Sequence, residues 1–156
     1  MTHRLRSRTD GQALVLVALV LAVLVTLVVG VNEVAFRRRT HARIQDSLDQ
    51  AAAAAVVQLD TTSLVADTPR LLREQAEAQF RARLRSGLTR VAAAVTPDPA
   101  TLAQQAQLTV VAAGEQCDGR SVSAPAVCAR LTFTPLSVLG APQITLTTLA
   151  QAARQP

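Results

Sequence analysis

An uncharged apolar run near the N-terminus constrains this chain more than any other feature of its sequence. The run extends over 19 residues from Ala13 to Val31, and Arg residues lie on both sides of it. As a helix it would be about 28 Å long, which matches the hydrocarbon thickness of a bilayer. Its Leu and Val side chains together favour insertion by roughly 4 to 8 kcal/mol. The run therefore predicts a membrane-spanning helix at residues 13–31.

Two other interpretations of the run remain open at this point. A secretory signal peptide also combines Arg with an apolar stretch, but that stretch normally has about 7 to 15 residues and ends at a small-x-small cleavage site. A buried core helix is the second alternative, although such helices rarely lack polar side chains over about five turns. The length of the run and its ending, VVGVNEVAF, favour a retained anchor.

The orientation of this anchor depends on the two cysteines, because Arg flanks both ends of the run and the positive-inside rule does not decide. Cys117 and Cys128 have ten residues between them in a turn-rich segment, a pattern that favours a disulfide over a metal site. Disulfides persist outside the cytosol. We therefore expect residues 1–12 in the cytoplasm and residues 32–156 in the periplasm or outside the cell. Two unrelated buried thiols in a cytosolic domain are the alternative.

The composition indicates a bacterial source and a mildly basic exported part. All 16 basic residues are Arg, and Tyr and Trp are absent, which is typical of a GC-rich genome. Residues 32–156 contain thirteen Arg against ten acidic residues. Such a balance predicts solubility and some attraction to anionic lipid, and it does not by itself indicate a nucleic-acid partner.

The predicted helix does not end with the apolar run. From Glu33 to Leu59 there is neither Pro nor Gly, and apolar residues recur at spacings of three and four, which predicts an amphipathic helix. Its apolar face would contain Ile44, Leu48, Ala51, Ala52, Ala55, Val56 and Leu59. We therefore expect a single helix of about 70 Å from Gln12 to Leu59, in which residues 32–59 continue the anchor.

A second helix is expected in the remaining part of the chain, residues 60–156. Asp67 or Thr68 can cap a helix whose first turn contains Pro69, and Gly87 can end it, so the predicted bounds are Pro69–Ser86. Its apolar stripe would consist of Leu71, Leu72, Ala76, Phe80 and Leu84.

Three short strands are predicted after the sequence TPDPA at residues 96–100, which breaks the helical pattern. They are Leu108–Ala112, Ala129–Thr134 and Gln143–Leu149. In the middle strand Ala129, Leu131 and Phe133 would face inward, and Arg130, Thr132 and Thr134 outward. An antiparallel sheet laid on the amphipathic helices gives an α+β fold for the exported head.

Residues that would carry chemistry are scarce in this sequence. It contains no nucleophile elbow, phosphate-binding Gly loop or zinc-protease motif, and His3 and His41 lie on opposite sides of the predicted span. We therefore expect no enzymatic activity, no cofactor and no metal site. A basic cluster of Arg81, Arg83, Arg85 and Arg90 could contact phosphate of lipid headgroups or DNA, although a solvated helix face explains it equally well. Without aromatic residues to stack on bases, nucleic-acid binding is not favoured.

The order of motifs in the first 57 residues resembles the TadE/TadG-like proteins of the tight-adherence (Tad, or Flp) pilus and related secretion loci. The matching segments are DGQALVLVALVLAVLV, GVNEVAFRRR and RIQDSLDQAAAAAV. Members of this family carry a Gly before the apolar helix, an acidic residue at its end and Arg residues beyond it. Gly11, Glu33 and Arg37 to Arg39 occupy those places here.

The resemblance implies a pilin-like or pseudopilin-like membrane protein with a lollipop shape, held in the bacterial inner membrane or incorporated into a filament. Its partners would be membrane lipid, other pilins or pseudopilins and the inner-membrane assembly platform, in a hetero-oligomer. Cleavage by prepilin peptidase between Gly11 and Gln12 is one hypothesis, but Leu16 stands where type IV pilins place a Glu, which favours a permanently anchored, unprocessed subunit. Glu33 would pair with an Arg of a neighbouring subunit or would be solvated at the membrane surface.

Three classes of function follow from these observations. The favoured one is a structural or assembly component of a Tad/Flp-type pilus or related secretion system, such as a minor pilin, that acts through helix–helix packing. The alternative is a membrane-tethered envelope module that binds DNA or an anionic polymer through Arg81 to Arg90. An envelope enzyme or its regulatory subunit is the third class, for which the sequence offers no candidate residues.

Overall fold

The computed structural model describes residues 6–58, 72–137, 140 and 142–152, and the side chains from residue 11 onward. It has the expected α+β fold, and the chain divides into two compact units, Met1–Arg38 (the anchor unit) and Arg39–Pro156 (the head unit). The helices are α1 (Arg6–Val56), α2 (Arg73–Leu88) with a 3-10 extension (Thr89–Ala94), and α3 (Pro99–Gln105). The strands are β1 (Val95–Thr96), β2 (Gln107–Val111), β3 (Gln116–Cys117), β4 (Arg120–Ser121), β5 (Ala126–Pro135) and β6 (Ile144–Gln151).

Helix α1 joins the apolar run and the amphipathic segment in one helix of 51 residues, as their lack of Pro predicted. Its C-terminal part supplies the core of the head unit, because Ile44, Leu48 and the alanines facing the same way are fully buried. Leu59, the last residue of the predicted helix and of its apolar face, lies outside the described residues.

Helix α2 packs into the same core through Ala76, Phe80, Leu84 and Leu88, each fully buried. The first described turn begins at Arg73, and Leu72 precedes it in extended backbone with 38% of its surface exposed. The place predicted for Leu72 in the apolar stripe is therefore wrong. Asp67, Thr68, Pro69 and Leu71, which were predicted to start this helix, lie outside the described residues.

The end predicted for this helix at Gly87 is also wrong. The α-helix continues to Leu88, and the 3-10 turn carries the chain on to Ala94. A Cβ atom at Gly87 would lie 2.8 Å from both Cβ and Oγ of Ser47 on α1, which is closer than side-chain atoms approach one another. Gly87 is therefore needed for the close approach of two helices and does not end one.

The sheet is built around β5, which is its longest strand. Strand β6 pairs antiparallel with one edge of β5 over eight consecutive residue pairs, and β2 and β1 share the other edge. Along β5 the side chains of Ala129, Leu131 and Phe133 are buried and Arg130 is exposed, so the predicted alternation is confirmed. The inward face joins the core formed by α1, α2 and α3.

Strand β1 and helix α3 were not expected from the sequence. The segment predicted as a break does end the helical pattern of α2, but Asp98 then caps α3 with Pro99 in its first turn. The Asp98 carboxylate accepts hydrogen bonds from the backbone N–H groups of Ala100 and Thr101, at 2.9 and 3.2 Å, and from the Thr101 hydroxyl. These bonds hold the pKa of Asp98 below its ordinary value of 3.8, with the Thr101 hydroxyl contributing most.

We expect Gly87→Ala to destabilise the head unit by up to about 2 kcal/mol, because overpacking costs roughly 1–3 kcal/mol and Ala gains about 1 kcal/mol in helix propensity. Thermal and denaturant unfolding of the full chain in detergent measures the change. Ser86→Ala, one residue away on the exposed side, is the matched control. Adding Ser47→Gly removes the obstructing side chain and should recover part of the loss, whereas a more stable Gly87→Ala protein would contradict the assigned contact.

The Asp98 cap predicts a pH dependence of stability. Since the pKa is lowered in the folded state, the stabilisation is present above pH 3.8 and is lost as the pH falls through the folded-state value. Asp98→Asn keeps an acceptor oxygen but has no carboxyl group that can be protonated. As the pH falls below 3.8, its unfolding temperature should therefore decrease less than that of the wild type. Parallel pH profiles of the two proteins would show that the cap does not titrate as described.

Candidate membrane anchor and assembly surface

The apolar part of α1 has no protein packed around it within the described residues. Its large side chains from Leu14 to Val31 are 46 to 71% exposed. The most apolar stretch has a mean hydropathy of 3.3, and none of it is buried. A core helix of a soluble protein would be covered by its own chain, so the buried-core interpretation is wrong. In the described part of the chain, α1 is the one helix whose length and composition would allow it to cross a membrane.

Four small residues line one side of this exposed segment. Ala18, Ala22, Thr26 and Gly30 are each four positions apart, which places them on one helix face. The Thr26 hydroxyl donates to the carbonyl of Ala22 at 2.8 Å, so its polar group is satisfied inside the helix. An added Cβ at Gly30 would meet no atom within 4 Å. Small side chains of this spacing permit close packing of helices in lipid.

Glu33, the acidic residue at the end of the run, is bound within its own helix. Its Oε1 accepts a hydrogen bond from Nε of Arg37 one turn later, at 3.0 Å, and the Glu33 side chain is only 11% exposed. Glu placed four residues before Arg is the favourable order for such a pair along a helix. An Arg partner for Glu33 is therefore present in the same chain, one turn along the same helix.

The proposed cleavage point lies inside a helix. Helix α1 begins at Arg6, so Gly11 and Gln12 come after its first turn, and no break in the helix marks the bond between them. An added Cβ at Gly11 would meet nothing within 4 Å. Leu16, at the position where the resemblance to pilins would place a Glu, is an exposed apolar residue like its neighbours.

The four arginines of the basic cluster do not share a face. Arg81 and Arg85 lie about 40° apart around α2, whereas Arg83 lies about 200° from Arg81 and so on the other side of the helix axis. All four side chains are exposed, and Arg90 belongs to the 3-10 extension. Arg81 also interacts with Glu77 at 3.6 Å, and Glu77 accepts from Arg73 at 3.3 Å. This arrangement is that of a solvated helix surface rather than of one phosphate-binding patch.

A disulfide joins Cys117 to Cys128, with 6.0 Å between their Cα atoms. It ties the hairpin of β3 and β4 to the central strand β5. The hairpin turn is formed by Asp118 and Gly119, both with positive φ, as two-residue turns of this kind require. Asp118 also binds the guanidinium of Arg130 at 3.3 Å. The hairpin is therefore held on the sheet by a covalent bond and an ion pair.

A shallow polar groove on the outer face of the sheet is lined by Gln105, Gln107, Arg130, Thr132 and Thr145. The hydroxyls of Thr132 and Thr145 are 3.1 Å apart and share a hydrogen bond. The lining contains no carboxylate, thiol or imidazole. No three His, Cys, Asp or Glu residues gather at one point within the described ranges.

Three features of the structure were not predicted from the sequence. The Asp118–Gly119 pair is a strong hairpin signal that was available in the sequence. The spacing of four between Ala18, Ala22 and Thr26 was also readable. The contact of Ser47 with Gly87 left no local signal, because it joins residues of two helices.

Comparison of the chain with known protein families, with curated proteins and with solved structures found no match.

We expect the double substitution Leu21→Arg with Leu24→Arg to release the protein from the membrane. Each Arg near the centre of a span costs about 2.5–3.5 kcal/mol, so two offset most of the roughly 4 to 8 kcal/mol that favours insertion. Fractionation after alkaline extraction measures the result. Val57→Arg, at an apolar position of the head unit that is 73% exposed, is the control and should stay in the membrane fraction. Retention of the double variant would contradict the assigned span.

Proposed function

We propose that this chain is a structural or assembly subunit of a Tad/Flp-type pilus or related secretion system, similar to a minor pilin or pseudopilin. The observation that carries the proposal is that the two parts of α1 have different surroundings. Residues 14–31 carry no charge, and their large apolar side chains are not covered by the described part of the chain, whereas residues 44–56 provide the central helix of a small folded head. A protein of this kind acts by packing its helix against others and needs no active site.

The anchor unit supports packing between helices. The face of Ala18, Ala22, Thr26 and Gly30 carries no bulky side chain, so a second helix can approach its backbone. The pairing of Glu33 with Arg37 removes an uncompensated charge from the end of the span. Both features suit a helix that sits in lipid beside helices of other subunits.

The disulfide supports a head on the outer side of the inner membrane, with the N-terminus in the cytoplasm. Cytosolic thiols are kept reduced, so a cystine in a small domain is typical of an exported one. Arg residues flank both ends of the span, so the positive-inside rule does not decide between the two orientations. The cystine is therefore the stronger argument for the topology.

The alternative of a polymer-binding module loses its main support. Its surface would consist of Arg81, Arg83, Arg85 and Arg90, and these side chains point to different sides of α2. We therefore propose the assembly role alone.

We expect the subunit purified from membranes in mild detergent to bring other pilus subunits or the assembly platform with it. Its cysteines should resist alkylation until a reductant is added, because Cys117 and Cys128 are joined. Intact mass analysis reads the cysteine state and shows whether residues 1–11 have been removed. Two free thiols would contradict the outward head, and a solitary monomer in several detergents would contradict the assembly role.

The double variant Leu21→Arg with Leu24→Arg is a useful control for this purification. Its head unit is unchanged in sequence, but a chain that is not inserted keeps its head in the cytosol, so we expect both the partners that bind through the apolar helix and the disulfide to be lost. Partners that persist would have to bind the head.

A further inference from the structure

In the part of the head unit that the structure describes, the outer edge of β6 is open. Strand β6 (Ile144–Gln151) is eight residues long and forms an edge of the sheet. Among the residues that the structure describes, it pairs with β5 alone. The pairing with β5 is continuous from Ile144 to Gln151 without a bulge, so the outer edge offers a regular row of backbone donors and acceptors over roughly 26 Å.

This edge lacks the features that usually prevent strands from pairing with other chains. Edge strands are commonly protected by charged side chains, Pro, bulges or short length. The sequence of β6, ITLTTLAQ, contains no charge, no Pro and no Gly. Its β-branched residues instead favour extended backbone. An edge of this length and composition is a template for an added strand.

We propose that the outer edge of β6 pairs antiparallel with β6 of a second copy of this chain, about a two-fold axis through Thr147. The interface is isologous, so the same strand faces itself. It extends the sheet from one head into the next by backbone hydrogen bonds. It involves the head unit only and does not depend on membership of a pilus.

The chemistry of the strand favours a second copy as the occupant. Because β6 is uncharged, two copies meet without the like-charge repulsion that destabilises facing strands. An axis through Thr147 places Ile144 opposite Ala150 and Leu146 opposite Thr148. Larger side chains thus face smaller ones along the side of the sheet that carries the buried Leu146. Thr147 itself is exposed on the outer side, where it faces its own symmetry mate.

A cysteine scan in the full-length, membrane-embedded protein tests this arrangement. Single variants Thr145→Cys, Thr147→Cys, Thr148→Cys and Gln151→Cys each add one thiol to a chain that keeps its native disulfide. Directly opposed residues have Cα atoms about 4.5–5.5 Å apart, within the range for a disulfide, whereas a residue two positions from the axis is about 13 Å from its own copy. We expect crosslinking between copies to be greatest at Thr147 and to fall on both sides.

Ser86→Cys, at an exposed position on α2, measures the background from random collisions. Crosslinking at the β6 positions that does not exceed this background overturns the proposal. So does an equal yield at all four positions, or a crosslink to a different protein in place of a second copy.

A charge exchange tests the same pairing without added thiols. When differently tagged copies are expressed together, Thr147→Lys should be recovered with Thr147→Glu about fivefold or more over recovery with another Thr147→Lys copy. Gln104→Lys with Gln104→Glu, exposed on α3, is the matched control and should show no such preference. Equal recovery of mixed and like-charged Thr147 pairs overturns the proposal. Misfolding of a variant would not produce such a preference, because the Thr147→Lys head is present in both pairs.

Discussion

The head unit can form a dense core because α1 and α2 pack closely against each other. The chain has three Phe and no Tyr or Trp, and one of the three, Phe36, is exposed on the anchor unit. With few large side chains, a dense interior requires that backbones approach closely. The contact of Gly87 with Ser47 and the buried alanines of α1 provide that approach. Phe80 and Phe133 then fill the space between helices and sheet, both almost fully buried.

Helix α1 meets two different physical demands along its length. In the anchor unit its apolar side chains are bare and are suited to lipid, whereas in the head unit its inward residues are covered by protein. The pattern changes accordingly from an apolar run without periodicity to one apolar face with a polar face opposite. Local backbone hydrogen bonding is the same in both parts, so a single helix can serve both.

Periodic patterns predicted the long elements because burial on one face leaves a regular trace in the sequence. The spacing of Ile44 and Leu48, and the alternation around Leu131, both led to the observed faces. The end of α2 could not be predicted in the same way, because Gly87 is there for a neighbour on another helix and resembles an ordinary stop signal. The sequence left the basic cluster open between a phosphate contact and a solvated face, because four arginines close in sequence need not be close around a helix. Helix α3 was missed although Asp98 followed by Pro99 is a recognisable start.

The pairing of Glu33 with Arg37 affects the depth at which a membrane-spanning α1 would lie in the bilayer. Two opposite charges held together cost much less in a poorly polar environment than either alone, and the exposed apolar residues Val34 and Phe36 lie in the same turn. If α1 spans a membrane, as we propose, a thicker bilayer would cover one further turn, about 5 Å, without leaving Glu33 uncompensated, and a thinner one would leave that turn in water. A membrane-spanning α1 would thereby tolerate differences in membrane thickness of about one helical turn.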